Sequence, residues 1–132
     1  VQSQFAILLS MVARETRWAG KDLVTERTPL DALGYTYYLN RHVFNNEFDK
    51  ELAVAEDAVR EVMTTYDTVC YFPVYWPIED DGIRPTDTQY QADISKYIRM
   101  YLARFDITPY VMQDEPVDRR VSHLVQWTKR KM

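Results

Sequence analysis

Cysteine is almost missing from this chain: Cys70 stands alone, so no disulfide framework holds the fold and a reducing compartment suits it. Cys70 sits in the apolar run Val69-Cys70-Tyr71-Phe72, where a thiol is read as core rather than as a nucleophile. Glycine is nearly as scarce, with Gly20, Gly34 and Gly82 only. A phosphate-cradling loop needs two glycines, a lysine and a Ser/Thr at fixed spacing. Gly20-Lys21 is followed by Asp22, and Glu15 stands where the earlier glycine belongs, so no such loop is present.

Histidine offers no metal site, because His42 and His123 are far apart and neither has a histidine or cysteine at ligand spacing. No serine lies in a G-x-S-x-G turn, which removes the local support for a hydrolytic triad. No apolar stretch approaches the ~20 residues that span a bilayer, and the segment from Val1 to Trp18 is amphipathic rather than a signal peptide. A soluble, cytoplasmic protein without a membrane partner is expected. Positive charge is not in excess either. The net charge of −4 argues against a nucleic-acid partner, and the cations Arg119, Arg120, Lys129, Arg130 and Lys131 are read as the solvated face and last turn of a helix.

What is abundant is apolar and aromatic surface: 46% hydrophobic and 14% aromatic residues in 132 suffice for one core, so residues 1–132 are read as a single domain. Phe5, Leu8, Leu9 and Val12 recur at helical spacing, with Gln4, Arg14, Glu15 and Arg17 assigned to the opposite, polar face. Leu23-Val24-Thr25 reads as a short strand. Thr28-Pro29 opens a helix whose Leu30, Leu33 and Tyr37 face inward. Phe48, Leu52, Ala55, Val59, Val62, Met63 and Tyr66 form a second apolar stripe, and Val69–Phe72 is a second strand. A long irregular loop of residues 73–87 follows. Asp87 caps a helix striped by Tyr90, Ile94, Tyr97, Ile98, Tyr101, Leu102 and Phe105; Tyr110–Met112 is a third strand, and Pro116 begins a last helix.

Strands separated by helices need crossovers, so the expected fold is α/β: a parallel sheet with helices on both faces. Ligands then gather at the carboxyl ends of the strands, where Glu26-Arg27, the loop Glu79–Arg84 and Gln113-Asp114-Glu115 fall on one edge. A carboxylate beside an arginine suits phosphoryl transfer, since one holds Mg²⁺ through water and the other stabilises charge on transferring oxygens. Glu26 and Asp31 equally suit the start of a helix dipole. The loop around Gly82 reads equally as a lid closing through Arg84 or as a plain Asp-Gly turn; its carboxylate spacing does not fit a calcium loop. Tyr35, Tyr37, Tyr38 and Tyr75-Trp76 can stack a base, but such residues more often serve packing.

Several segments together resemble P-loop kinases of the nicotinamide-ribose-kinase type, a family that includes nucleoside and nucleotide kinase-like ATPases of bacteria and phages. These are Gln4–Leu8 running to Arg14-Glu15, Val24-Thr25-Glu26-Arg27-Thr28-Pro29-Leu30-Asp31 running to Tyr35, Tyr66–Pro73, and Asp80-Asp81-Gly82-Ile83-Arg84 with Thr86-Asp87. The resemblance implies a three-layer P-loop NTPase sandwich and transfer of the γ-phosphoryl of ATP, with Mg²⁺, to a nucleoside, nucleotide or nicotinamide-riboside-like acceptor. By it, Glu26 lies near Mg²⁺ and Arg27 faces the phosphates or acceptor. Arg84 is a lid arginine, and Asp31 and Asp81 lie on the substrate side. The strand, phosphate loop and helix of that family have no counterpart here, and on the order of 30 to 60 preceding residues are expected to supply them. A degenerate kinase-like module used for binding or assembly is the alternative, and assembly with further copies of the chain suits either.

Overall fold

The computed structural model describes residues 2–73 and 88–131, which form five helices and two very short strands. The helices are α1 (Gln2–Trp18), α2 (Pro29–His42), α3 (Asp49–Met63), α4 (Thr88–Arg104) and α5 (Val117–Lys131). The strands β1 (Cys70–Tyr71) and β2 (Tyr110–Val111) pair in parallel, with Cys70 opposite Tyr110 and Tyr71 opposite Val111. The loop of residues 73–87, apart from Pro73, lies outside the described residues, as do Asp81, Arg84, Asp87 and the Tyr75-Trp76 pair.

This corrects the expected three-layer α/β sandwich. The described chain is predominantly helical, and its sheet has two strands of two residues each. Leu23-Val24-Thr25 is not a strand: it runs without a ladder partner among the described residues, and Val24 is 99% exposed. The apolar run Val69–Phe72 pairs only at its centre, with Phe72 turned to solvent. β-branched and aromatic residues favour a pleated, half-buried surface, but a strand forms only where a partner edge exists. The three polar strand ends therefore do not share one sheet edge, since Glu26-Arg27 follows no strand.

The core belongs to α1–α4. Leu8, Leu30, Leu33, Leu52, Ala55, Val59, Met63, Tyr101 and Leu102 form one buried cluster. Helix α2 is its hub, packed against α1, α3 and α4. Its approach to α4 is close because Gly34 has no side chain: a Cβ there would meet Ile98 Cγ1 at 2.9 Å. Buried polar groups on α2 are satisfied in pairs. Gln4 Nε2 donates to Thr36 Oγ1 at 3.2 Å, and Thr36 Oγ1 donates to the Ala32 carbonyl at 2.7 Å. Asn40 Nδ2 donates to Asp49 Oδ1 at 2.8 Å while Asn40 Oδ1 accepts from the Phe48 amide at 2.9 Å, which fixes the α2–α3 connection.

The tyrosines of α2 and α4 meet each other. Tyr35 and Tyr38 pack edge-on against Tyr90, Tyr37 against Tyr97 and Tyr101, and Tyr38 stacks on His42 with ring centroids 4.6 Å apart. His42 Nε2 lies 2.7 Å from the Tyr97 hydroxyl. These rings are helix–helix packing, each pair adding to what burial alone supplies. Among the described residues no helix is long and apolar enough to cross a membrane.

Candidate functional site

The turn between α1 and α2 holds three of the five residues singled out in the sequence. Thr28 is the N-cap of α2: its Oγ1 accepts from the Leu30 amide at 3.2 Å, and its own amide donates to Asp31 Oδ2 at 2.8 Å. This reciprocal pair is a capping box, with aspartate in the place of the usual Glu/Gln. It closes the helix start against itself. Asp31 is consequently a structural cap, and the α2 N-terminus does not lie open to an anion.

Upstream of the cap, Thr25 Oγ1 donates to the Arg27 carbonyl at 3.1 Å. That bond accompanies an unusual backbone: Arg27 has φ +71°. Among the described residues the other non-glycine positions at positive φ are Asn45, Asn46 and Asp106, types whose short polar side chains tolerate this region. Arginine has no such relief, and the left-handed conformation costs it about 1–2 kcal/mol. The Glu26 carboxylate and the Arg27 guanidinium are both exposed, and neither has a hydrogen-bond or ion-pair partner among the described residues. Glu26 and Arg27 thus stand side by side with their charged groups available to a ligand.

A second feature lies near this turn and was not foreseen. Glu15, assigned above to the polar face of α1, is buried, with 2% of its side chain exposed. Its Oε1 accepts from Arg14 at 2.7 Å and 3.2 Å, but Oε2 has no partner among the described residues. The Tyr66 hydroxyl and Thr68 Oγ1 are likewise buried without a partner of full hydrogen-bond geometry among the described residues, although Glu15 lies close enough to Tyr66 to act on its phenol. Burial raises the Tyr66 phenol well above its ordinary range, and the negative charges of Glu15 and Asp31 raise it further. Glu15, Tyr66 and Asp31 are therefore neighbours electrostatically. The sequence carried the signal: Phe5, Leu8, Val12 and Glu15 follow one another at spacings of 3, 4 and 3, which puts Glu15 on the apolar stripe.

A concavity lies elsewhere. A groove of about 520 Å³ runs between α4 and the two strands, walled by Leu102, Pro109 and Val111, with Arg99 at its edge and the Tyr71 and Ser95 hydroxyls hydrogen-bonded to each other. Glu26, Arg27 and Asp31 are not among its lining residues. Cys70 is half-buried, and burial pushes its thiol up, as befits a packing residue. His123 Nδ1 lies 2.7 Å from Glu115 Oε1 at the start of α5.

Among the described residues no three His, Cys, Asp or Glu side chains converge on a point that could hold a metal. A Mg²⁺ ion bound through water needs only one or two carboxylates, the rest of its shell coming from water and phosphate oxygens. The exposed Glu26 carboxylate fits that limited role, while Asp31 Oδ2 is engaged by the Thr28 amide. No protein-family model, curated protein or solved structure matches the chain.

Proposed function

We propose that this protein takes part in phosphoryl transfer from Mg-ATP to a small nucleoside, nucleotide or nicotinamide-riboside-like acceptor in the cytoplasm, with Arg27 as its charge-stabilising group. The observation that carries this reading is the backbone of Arg27. A residue that glycine or asparagine would replace with less strain is an arginine, and its guanidinium has no hydrogen-bond or ion-pair partner among the described residues. Strain retained at an exposed charged residue is the mark of a side chain needed for a ligand. Glu26 beside it supplies the carboxylate that a hydrated Mg²⁺ would use. When bound, Mg²⁺ would neutralise charge on the phosphate oxygens, and Arg27 would add a fixed, always protonated donor fork.

The reading does not depend on a three-layer sandwich. It assigns Arg27 and Glu26 to ligand contact, Asp31 to holding the turn, Arg84 to a lid arginine facing the phosphates, and Asp81 to the acceptor side. A non-catalytic binding or assembly module is the second reading, and one observation favours it: Asp31 Oδ2 accepts from the Thr28 amide, so one of the carboxylates assigned to ligand contact is engaged in the helix cap. The two are separated by turnover. Natural protein incubated with Mg-ATP and a panel of nucleosides, mononucleotides and nicotinamide riboside should phosphorylate at least one acceptor. Arg27→Ala and Arg84→Ala should each lower that rate about 100-fold or more while the circular dichroism stays unchanged. Absence of transfer to every acceptor, or full rates in both variants, removes the phosphotransferase assignment.

A further inference from the structure

The rings between α2 and α4 are given hydroxyl partners that packing alone does not call for. Tyr38 and His42 stand at i and i+4 of α2, and Tyr97 and Tyr101 at i and i+4 of α4, so each pair shares a helix face. The two faces meet as a chain of rings. His42 stacks on Tyr38 with centroids 4.6 Å apart, and Tyr37 lies 4.6 Å from Tyr97 and 5.8 Å from Tyr101.

Within this chain the three central phenols are treated differently. Tyr97 is buried, and its hydroxyl lies 2.7 Å from Nε2 of His42, a residue exposed to solvent. With the imidazole proton on Nδ1, Nε2 accepts from the Tyr97 hydroxyl. Burial raises the Tyr97 phenol above its ordinary range, Asp93 raises it further and Arg41 partly offsets this, so the hydroxyl keeps its proton. Tyr37 is held the other way: its oxygen accepts from Arg41 Nη1 at 2.9 Å, and the Arg41 guanidinium lies 5.9 Å from its ring centre. Tyr101 donates to Glu56 Oε1 at 2.8 Å, but the Arg104 guanidinium lies 5.7 Å from its ring centre. A phenol that loses an electron becomes a strong acid. The loss is therefore easiest where a base stands ready for the proton, and a cation over the ring opposes it.

We propose that Tyr97 is a one-electron redox site, with His42 as the base that takes its hydroxyl proton and a one-electron oxidant of the metal-complex class as the electron acceptor. One electron leaves the Tyr97 ring and reduces the oxidant. The Tyr97 O–H bond breaks and an N–H bond forms at His42 Nε2, leaving a neutral tyrosyl radical beside an imidazolium. Burial shields the radical from the rings of other molecules, and exposed His42 hands the proton on to water. Tyr37 connects Tyr97 to fully buried Tyr101, so an oxidation begun in the core settles at Tyr97. This role is independent of phosphoryl transfer.

The chain holds two histidines, His42 and His123, and His123 is bonded to Glu115, so a histidine label reports on few sites. Protein carrying isotopically labelled histidine is oxidised with photogenerated tris(bipyridine)ruthenium(III), frozen, and studied by pulsed electron paramagnetic resonance. The wild type should give a tyrosyl radical coupled to a histidine nitrogen, and His123→Gln should give the same. Tyr97→Phe keeps the ring and should lose the coupling. His42→Gln, whose amide oxygen still accepts a hydrogen bond but takes no proton, should lose it too, with circular dichroism unchanged in both variants. Should either variant unfold, the wild-type and His123→Gln spectra still decide. A wild type that yields no tyrosyl radical or one without histidine coupling, a coupling lost in His123→Gln, or a coupling that survives Tyr97→Phe or His42→Gln overturns the proposal.

Discussion

The helical body and the sheet end of this molecule are built to different standards. In α1–α4 the apolar stripes interlock: Leu33 and Val59 are fully buried, and Tyr101, also buried, donates its hydroxyl to Glu56 Oε1 at 2.8 Å. At the sheet end the apolar residues Phe72, Val111, Val117 and Val121 meet solvent, and the contacts that hold α5 include Trp127 on Tyr110, Arg120 Nε donating to the Glu115 carbonyl at 2.6 Å and His123 Nδ1 2.7 Å from Glu115 Oε1. Apolar periodicity is present in both regions. What differs is whether a second surface exists to receive it, and stability should be distributed accordingly.

Large-to-small substitutions separate the two regions most sharply. Leu33→Ala should lower the unfolding free energy by about 3 kcal/mol, the usual consequence of emptying a buried leucine site. Val121→Ala should change it by less than about 0.5 kcal/mol if α5 is peripheral to the monomer's stability. Chemical denaturation of both variants checks the comparison, and equal losses would abolish the distinction. Next in size, Tyr101→Phe should cost about 1.5 kcal/mol, because it removes a hydrogen bond to a charged acceptor at a buried position.

Glu15→Gln works in the opposite direction. It keeps the shape, removes a charge from a buried site, and gives the neighbouring Tyr66 oxygen an amide donor. Stability should rise by about 1 kcal/mol. A loss of similar size would mean that Glu15 Oε2 engages a partner the described residues do not supply.

The smallest effect expected is a matter of alkaline pH. The Tyr66 and Tyr101 phenols are raised above their ordinary value of about 10 by burial, assisted at Tyr66 by Glu15 and at Tyr101 by Glu56. The folded protein therefore keeps protons that the unfolded chain releases. Their contribution is complete below about pH 10 and declines as pH rises above it. Tyr66→Phe should flatten the decline of melting temperature above pH 10. A variant whose alkaline profile overlays the wild type would show that Tyr66 titrates normally.

The helices could be read from the sequence because each carries enough apolar residues at helical spacing to specify a face. The Thr28-Pro29 cap was legible for the same local reason: Thr28, Pro29 and Asp31 within four residues define a helix start before any tertiary contact forms. The strand at Leu23–Thr25 was not, because its residues describe a preference for a pleated surface and say nothing about whether a partner edge is available. The sandwich inferred from it failed with it. Glu26 and Arg27 were found by their chemistry, but the positive φ of Arg27, on which the functional reading rests, has no sequence signal in an arginine. Glu15 was assigned to the wrong face since its charge was weighed above its spacing.

Arg27→Gly brings the functional and structural accounts together in one protein. Glycine enters the left-handed region without strain, so if that conformation serves a ligand, stability and turnover must part company. Phosphate transfer from Mg-ATP, measured on the best acceptor alongside thermal denaturation, should fall about 100-fold or more while the melting temperature holds or rises. Unchanged transfer in Arg27→Gly would contradict the account, since the strained arginine would then have no ligand to serve.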